Sequence, residues 1–293
     1  MTHFSSLGKY LSLLPALLVF ALLALLPVVN LLMTSFFEVS WLAGSKQMQW
    51  VGLENYADIP ADPLFKAGVF NTAIVVIVAT SAQVLIGLAL ALGCSALGRK
   101  GRFYRPLLIL PLLIPGIVIG AIWRLMYNSE FGVFNLALEG IGLSGHDWLG
   151  SPATALASVI VVDIWHWTPF AFLLLLAAVE SLPRDVAEAA KIDGATAWQE
   201  FRFVTLPLLY PAIFMTFLFR AVMASKIFDE IFLLTSGGPG TSTEVISYTI
   251  FQRYFLQDNP GYGSALSVSV IFVVSIIIVI ALNVGRSKEL AQS

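Results

Sequence analysis

A chain of 293 residues that is 58% hydrophobic and only 12% charged carries about half the charge that a water-soluble surface needs, roughly 25%. Its mean hydropathy is +0.86. Sixteen basic against 18 acidic residues give no electrostatic basis for nucleic-acid binding, and the lone Cys94 excludes an internal disulfide framework or a cysteine metal cluster.

A helix rises about 1.5 Å per residue, so about 20 apolar residues cross a hydrocarbon core of roughly 30 Å. Six segments qualify: 11–37, 70–97, 106–127, 153–179, 206–235 and 263–284. The fold class they predict is an all-α polytopic membrane protein with six transmembrane helices and a cytoplasmic loop between spans four and five. Lys9 ahead of the first span resembles the start of a signal peptide. The apolar stretch is longer than a signal core of roughly 7 to 15 residues and no A-x-A site follows, so it is read as a retained span. Turn residues at 58–62 (DIPAD), 128–151 and 236–241 (SGGPGT) mark the main external breaks. Arg124, near the external end of the third span, is expected to snorkel to the interface.

In the fourth span Asp163, His166, Trp167 and Phe170 fall on one helical face. A carboxylate beside aromatic rings suits a sugar: the acid accepts hydroxyl hydrogen bonds and a ring covers the apolar C–H face. The alternative is that Asp163 pairs with a basic group on a neighbouring span and the rings are packing. In the fifth span Arg220 is placed to pair with Asp163 or to hold a substrate hydroxyl. Lys226 precedes Asp229 and Glu230 by three and four residues, close enough for pairing on the helix itself, and the three are read as a solvated or salt-bridged rim near the external end.

Between these spans, Ser181 and Pro183 are helix-start signals, 186–191 continues the helix, and Asp193–Gly194 breaks it before a second helical stretch over 195–203. Small residues Ala187, Ala189, Ala190 and Ala195 permit close approach, while Val186, Ile192, Trp198 and Phe201 offer apolar anchors. Composition alone fits either a loop lying on the bilayer or a knob seated in another protein.

Orientation follows from Lys and Arg in the loops. Lys9, Arg99, Lys100, Arg102, Arg105, Arg184, Lys191, Arg202, Arg286 and Lys288 fall on one side, and only Lys46, Lys66 and Arg253 on the other. Both termini and the loop 181–207 are therefore expected in the cytoplasm. No catalytic constellation is legible: His3, His146 and His166 lie on separate segments, neither H-E-x-x-H nor G-x-S-x-G occurs, and Cys94 has no neighbouring base. The stretch from Gly237 to Gly240 lacks the Lys of a phosphate-binding loop and is read as ending the fifth span. Active transport would draw its energy from another polypeptide or an ion gradient.

Glu188-Ala189-Ala190, Gly194 four residues on, then Val204 and Leu206-Pro207 resemble the EAA signature of ABC importer permeases, with Val204 in place of the usual Ile. The fuller EAAKIDGA, Phe201 and LPLLYP resemble the carbohydrate-uptake branch, of maltose, trehalose and glycerol-phosphate type. Weaker similarities run along most of the chain: VGLENY at 51–56, Asn71-Thr72, Phe131-Gly132 with Asn135, Phe228-Asp229, Leu234-Thr235, Gly237-Gly238-Pro239 and Thr243. The pattern after the third span looks more like the first permease subunit of such systems than its partner, without that subunit's extra spans and large external domain.

The resemblance implies one type I importer permease domain over 1–293, forming a heterodimeric pore with a second permease subunit. An external solute-binding protein delivers the carbohydrate, and a cytoplasmic ATPase dimer, which binds the ATP and Mg, seats the loop 181–207. This chain itself would hold no cofactor and no metal. The resemblance assigns ATPase coupling to Glu188, Ala189, Ala190, Asp193, Gly194, Leu206 and Pro207. Asp163, His166, Trp167, Phe170, Arg220, Lys226 and Asp229 are the candidates for the substrate pathway. Rival readings are the same machine carrying a polyamine or phosphate ester, and an ion-coupled secondary transporter. The latter predicts inverted repeats or paired broken helices and leaves the EAA pattern unexplained.

Overall fold

The computed structural model describes residues 6–42 and 45–290. His3 and the outermost residues of both termini lie outside them, as do the side chains of Lys9, Arg184, Ala187, Lys191, Arg286 and Lys288. In chain order the elements are α1 (Ser6–Phe20), α2 (Leu26–Thr34), β1 (Phe37–Leu42), β2 (Ser45–Trp50), α3 (Glu54–Asp58), α4 (Pro63–Ala96), α5 (Gly101–Ile109), α6 (Gly116–Met126), α7 (Val133–Gly140), α8 (Ala155–Glu180), α9 (Arg184–Ile192), α10 (Ala197–Glu200), α11 (Leu206–Ala224), α12 (Asp229–Leu234), α13 (Ile246–Phe251) and α14 (Pro260–Leu290). Five helical stretches are long and apolar enough to cross a membrane: Leu13–Thr34, Pro63–Ala96, Ala155–Glu180, Ala197–Ala224 and Pro260–Asn283. A sixth is obtained when the bent pair Gly101–Leu113 and Gly116–Met126 counts as one span.

Three of the expected spans differ in form. The third is not straight: its two halves meet at 92°. Ile114 is extended, with φ −90° and ψ 127°, because Pro115 disfavours the helical region for the residue before it and supplies no N–H. The first span ends at Thr34, and Phe37 opens a strand instead. The fifth begins earlier, at Ala197, and leaves the helix after Ala224. Residues 225–228 are non-helical, Phe228 has φ −139°, and a separate helix starts at Asp229.

The chain divides into two compact units. One holds the chain up to Asp62 together with Ile250–Ser275. Its antiparallel hairpin, pairing Phe37 with Trp50 through Leu42 with Ser45, lies beyond the all-α expectation. Asn55 secures the hairpin's base by donating to the carbonyls of Ser35 (2.9 Å) and Phe37 (3.1 Å). Asp62 is buried and accepts from Arg253 Nε and Nη2 at 3.1 and 2.7 Å and from the Tyr262 hydroxyl at 3.0 Å. This pairing neutralises a carboxylate and a guanidinium that sequence alone placed among loop charges.

The second unit comprises Pro63–Thr249 and Ile276–Ser293. Its core is the seam where α4 lies along α8: Val84, Leu88, Ala91 and Cys94 meet Phe172, Leu175 and Leu176, with Leu209 of α11 closing the cluster. The fully buried Ala79, Ala91 and Ala171 keep the backbones close, the packing that holds helices together where lipid is as apolar as the side chains. Arg105 pairs with Glu180, tying the start of α5 to the end of α8.

Outside the spans, side-chain amides organise the loops. Asn71 donates to the carbonyls of Thr241 (3.0 Å) and Glu244 (2.8 Å), and Thr72 Oγ1 accepts from the amide of Ile246 at 3.0 Å. The SGGPGT turn is thereby clamped to the start of α4. Asn135 donates to the carbonyls of Ser129 and His146 and accepts from the His146 amide (3.0 Å) and Trp148 Nε1 (2.8 Å). Asn135→Ala therefore strands several donors and acceptors, at about 1–3 kcal/mol. The expected outcome is faster limited proteolysis within 128–151 with the remaining spans unaffected; an unchanged cleavage pattern contradicts this role.

Candidate functional site

The two interruptions in the helices meet at one place. A cavity of about 360 Å³ is lined by Leu112, Ile114 and Gly116 from the elbow of the bent span, by Asp163, His166 and Trp167 of α8, and by Met223 with 226–230 around the break between α11 and α12. Broken helices are tolerated at membrane depth where they line a cavity, since the freed backbone groups then find partners other than lipid. The approach is close: a side chain at Gly120 would place Cβ 2.7 Å from Leu233 Cδ1, and one at Gly116 the same distance from Asp229 Oδ2. Only glycine lets α6 lie against α12 here.

Of the seven pathway candidates, Asp163, His166, Trp167, Lys226 and Asp229 line this cavity, while Phe170 and Arg220 do not. Arg220 is 1% exposed and Asp163 is 2% exposed. Arg220 Nη2 lies 3.4 Å from Asp163 Oδ2, so of the two sequence alternatives the interhelical ion pair is the one present. Gln83 of α4 bridges them: its Nε2 donates to Asp163 Oδ2 at 2.7 Å and to the Asp163 carbonyl at 2.9 Å, and its Oε1 accepts from Arg220 Nε at 2.8 Å. The guanidinium also stacks on Trp167, with Cζ 4.7 Å from the ring centroid. This cation–π contact sets the tilt of the indole in the cavity wall. Phe170 meets Trp167 edge-on at 6.4 Å, as a packing neighbour.

Glu230 is drawn away from Lys226. It is buried, and its Oε1 lies 3.0 Å from His166 Nδ1. The expected pairing of Lys226 with Asp229 and Glu230 along one helix is thus corrected, because the helix stops at Ala224. Among the described residues no ion pair joins them; Lys226 and Asp229 stand exposed at the cavity. Arg124 is exposed, and its Nη1 donates to the Leu233 carbonyl at 3.3 Å, at the end of α12. Gln83 and Glu230 were absent from the candidates. The signal that could have found Gln83 is a lone amide in an otherwise apolar run, which lipid does not tolerate without a partner.

The loop 181–207 forms a separate candidate surface. Helix α9 ends in a reversal in which the Ala195 amide donates to the Ala190 carbonyl at 3.0 Å and Gly194 takes φ +76°, the six-to-one bond of a glycine-terminated helix. The second helix starts two residues later than expected, at Ala197. There Thr196 and Gln199 form a capping box, and the helix continues through a π turn, Phe201–Thr205, into α11. The knob is therefore continuous with the N-terminal end of the fifth span. Glu188, Ala189, Asp193, Gly194 and Pro207 are exposed, and Ala190 and Leu206 half-buried. Ile192 is 87% exposed and Trp198, whose ring meets that of Phe201 at 5.6 Å, is 68% exposed, which leaves an open apolar surface on this loop.

Residues 83–286, which include both surfaces, match the family described as binding-protein-dependent transport system inner membrane component. The trehalose/maltose transport system permease protein of Thermococcus litoralis is 36% identical over 281 residues, covering 96% of this chain and 94% of that protein. The sulfoquinovosyl glycerol transport system permease protein of Agrobacterium fabrum is 33% identical over 275 residues, covering 94% and 89%. Among solved structures, a chain of a bacterial ABC transporter involved in the import of the acidic polysaccharide alginate superposes with a TM-score of 0.82 at 22% identity, covering 95% of each chain. The fold, its apolar helices and the family match agree, and the chain belongs to the binding-protein-dependent transport system inner membrane components as a multi-pass permease.

Proposed function

We propose that this chain is the permease subunit of an ATP-driven, binding-protein-dependent sugar importer, a single permease domain over 1–293 that supplies half of the translocation pore. The carrying observation is the likeness over nearly the whole chain to permeases named for trehalose/maltose and sulfoquinovosyl glycerol transport, joined to a cavity that presents an indole and carboxylates. A second permease subunit completes the pore, and an external solute-binding protein delivers the sugar. A cytoplasmic ATPase dimer, holding the ATP and Mg, seats the loop 181–207 and performs the hydrolysis. The excess of Lys and Arg on the side of that loop supports cytoplasmic termini.

In this reading Glu188 makes polar contact with the ATPase, Ala189 and Ala190 pack closely, Asp193 and Gly194 form the bend, and Leu206 with Pro207 join the knob to α11. Trp167 and Asp229 face the sugar, with Lys226 at the rim. Asp163, His166 and Arg220 hold the wall in place. A phosphate ester is the poorer cargo, because Arg220 is committed to Asp163 and Gln83 and leaves Lys226 as the Lys or Arg side chain lining the cavity.

Trp167→Ala removes the ring that would cover the sugar's C–H face. With stacking worth about 0.5–1.5 kcal/mol, half-saturation for uptake by the reconstituted transporter is expected to rise up to tenfold, with assembly intact and Trp167→Phe recovering most of the loss. Unaltered kinetics in Trp167→Ala would remove the ring from the pathway.

A further inference from the structure

The face of α8 opposite the cavity borders a second hollow that shares no lining residue with it. This groove of about 480 Å³ lies between α4, the bent span and α8, and its walls include Leu107, Leu108, Pro111, Trp123, Val161 and Trp165. It is apolar and open at its rim: Leu107 is 55% exposed and Trp165 41%. Tyr104 lies one turn before Leu107 and Leu108 on one face of α5, and Lys100 immediately precedes that helix. Lys100 and its neighbour Arg99 are exposed, and Tyr104 is 48% exposed. A cation and a phenol thus precede the α5 residues that wall a groove whose interior is hydrocarbon in character.

We propose that this groove is a binding site for one anionic phospholipid, its phosphate held by Lys100 and the Tyr104 hydroxyl beside Arg99, and one acyl chain laid between α5 and the Trp123–Trp165 wall. The dimensions agree. From Lys100 the chain runs through α5 into the 3-10 turn Leu110–Leu113 that holds Pro111, a rise of about 16–18 Å, the distance from a headgroup to near the midplane of a hydrocarbon core of roughly 30 Å. The charge complements as well, since each Lys or Arg near an anionic surface contributes about 1 kcal/mol. The inner wall is aromatic, with the rings of Trp123 and Trp165 edge-to-face at 5.6 Å.

That pair is also the reporter. The full chain in its assembled transporter is placed in phosphatidylcholine vesicles containing a minor fraction of either phosphatidylglycerol or phosphatidylcholine with brominated acyl chains, and tryptophan quenching is titrated. Brominated phosphatidylglycerol is expected to quench more, and saturably, with the excess lost in Trp123→Phe combined with Trp165→Phe. Lys100→Gln, at an exposed site that does not endanger folding, shifts half-saturation by about fivefold. Equal quenching by the two lipids, or no shift in Lys100→Gln, reduces the groove to ordinary lipid contact. Excess quenching in the isolated chain that vanishes on assembly assigns the groove to a helix of another subunit. Either result overturns the proposal.

Discussion

Arg220→Met is expected to destabilise the fold by about 3–5 kcal/mol, because it leaves the carboxylate of Asp163 buried without its counter-charge. The magnitude follows from geometry. Asp163 and Arg220 are 2% and 1% exposed, and Gln83, which donates to Asp163 Oδ2, also loses the guanidinium it accepts from. A single hydrogen bond of about 1 kcal/mol does not replace an ion pair whose members are almost wholly buried. The double variant Asp163→Asn with Arg220→Gln removes both charges while keeping amide donors and acceptors, and is expected to recover most of the loss. Thermal unfolding midpoints of the detergent-purified full chain decide it. A single variant as stable as the parent, or a double no better than the single, would mean that the pair carries little of the α4–α8–α11 junction.

This junction also explains what could and could not be read from residue order. The face formed by Asp163, His166 and Trp167 follows from helical periodicity alone, and the structure puts all three on the cavity. Which groups they meet is a different kind of information. Gln83 is 80 residues from Asp163 and Glu230 is 64 from His166, and nothing local encodes either pairing. Lys226 and Glu230 show the opposite failure: their spacing is right for a helical pair, but the assumption of an unbroken helix was wrong. A partner for Glu230 on α8 outweighs a local contact worth a few tenths of a kcal/mol. The bend of the third span did have a local signal in Pro115, and apolar length alone masked it. The weak outer similarities, Asn71-Thr72 and Asn135 among them, fall on amides that saturate loop carbonyls. Such residues hold the loops in shape, and sequence cannot distinguish that role from ligand binding.

Gly194→Asp is expected to leave the protein inserted and folded while uptake falls about a hundredfold or more. The backbone requirement is clear: φ +76° is a left-handed conformation that costs an ordinary L-residue about 1–2 kcal/mol and is visited by Asp and Asn more readily than by others. Space is not the obstacle, since a Cβ at this position meets nothing within 4 Å in this chain. The damage lies in what the ATPase would have to accommodate. A carboxylate would stand next to the exposed Asp193 and Ile192 and near Glu188, on a surface that closes tightly if it seats in a cleft. Burying an unpaired charge there costs several kcal/mol, and each 1.4 kcal/mol is about a factor of ten in affinity. Gly194→Asn separates the two causes, sharing the backbone tolerance and nearly the shape of Asp without its charge. It is expected to retain most uptake, whereas Gly194→Asp loses uptake, copurification with the ATPase and stimulation of ATP hydrolysis together. Equal loss in both variants would place the effect in the backbone reversal, and normal uptake in Gly194→Asp would show that this bend does not face the ATPase at all.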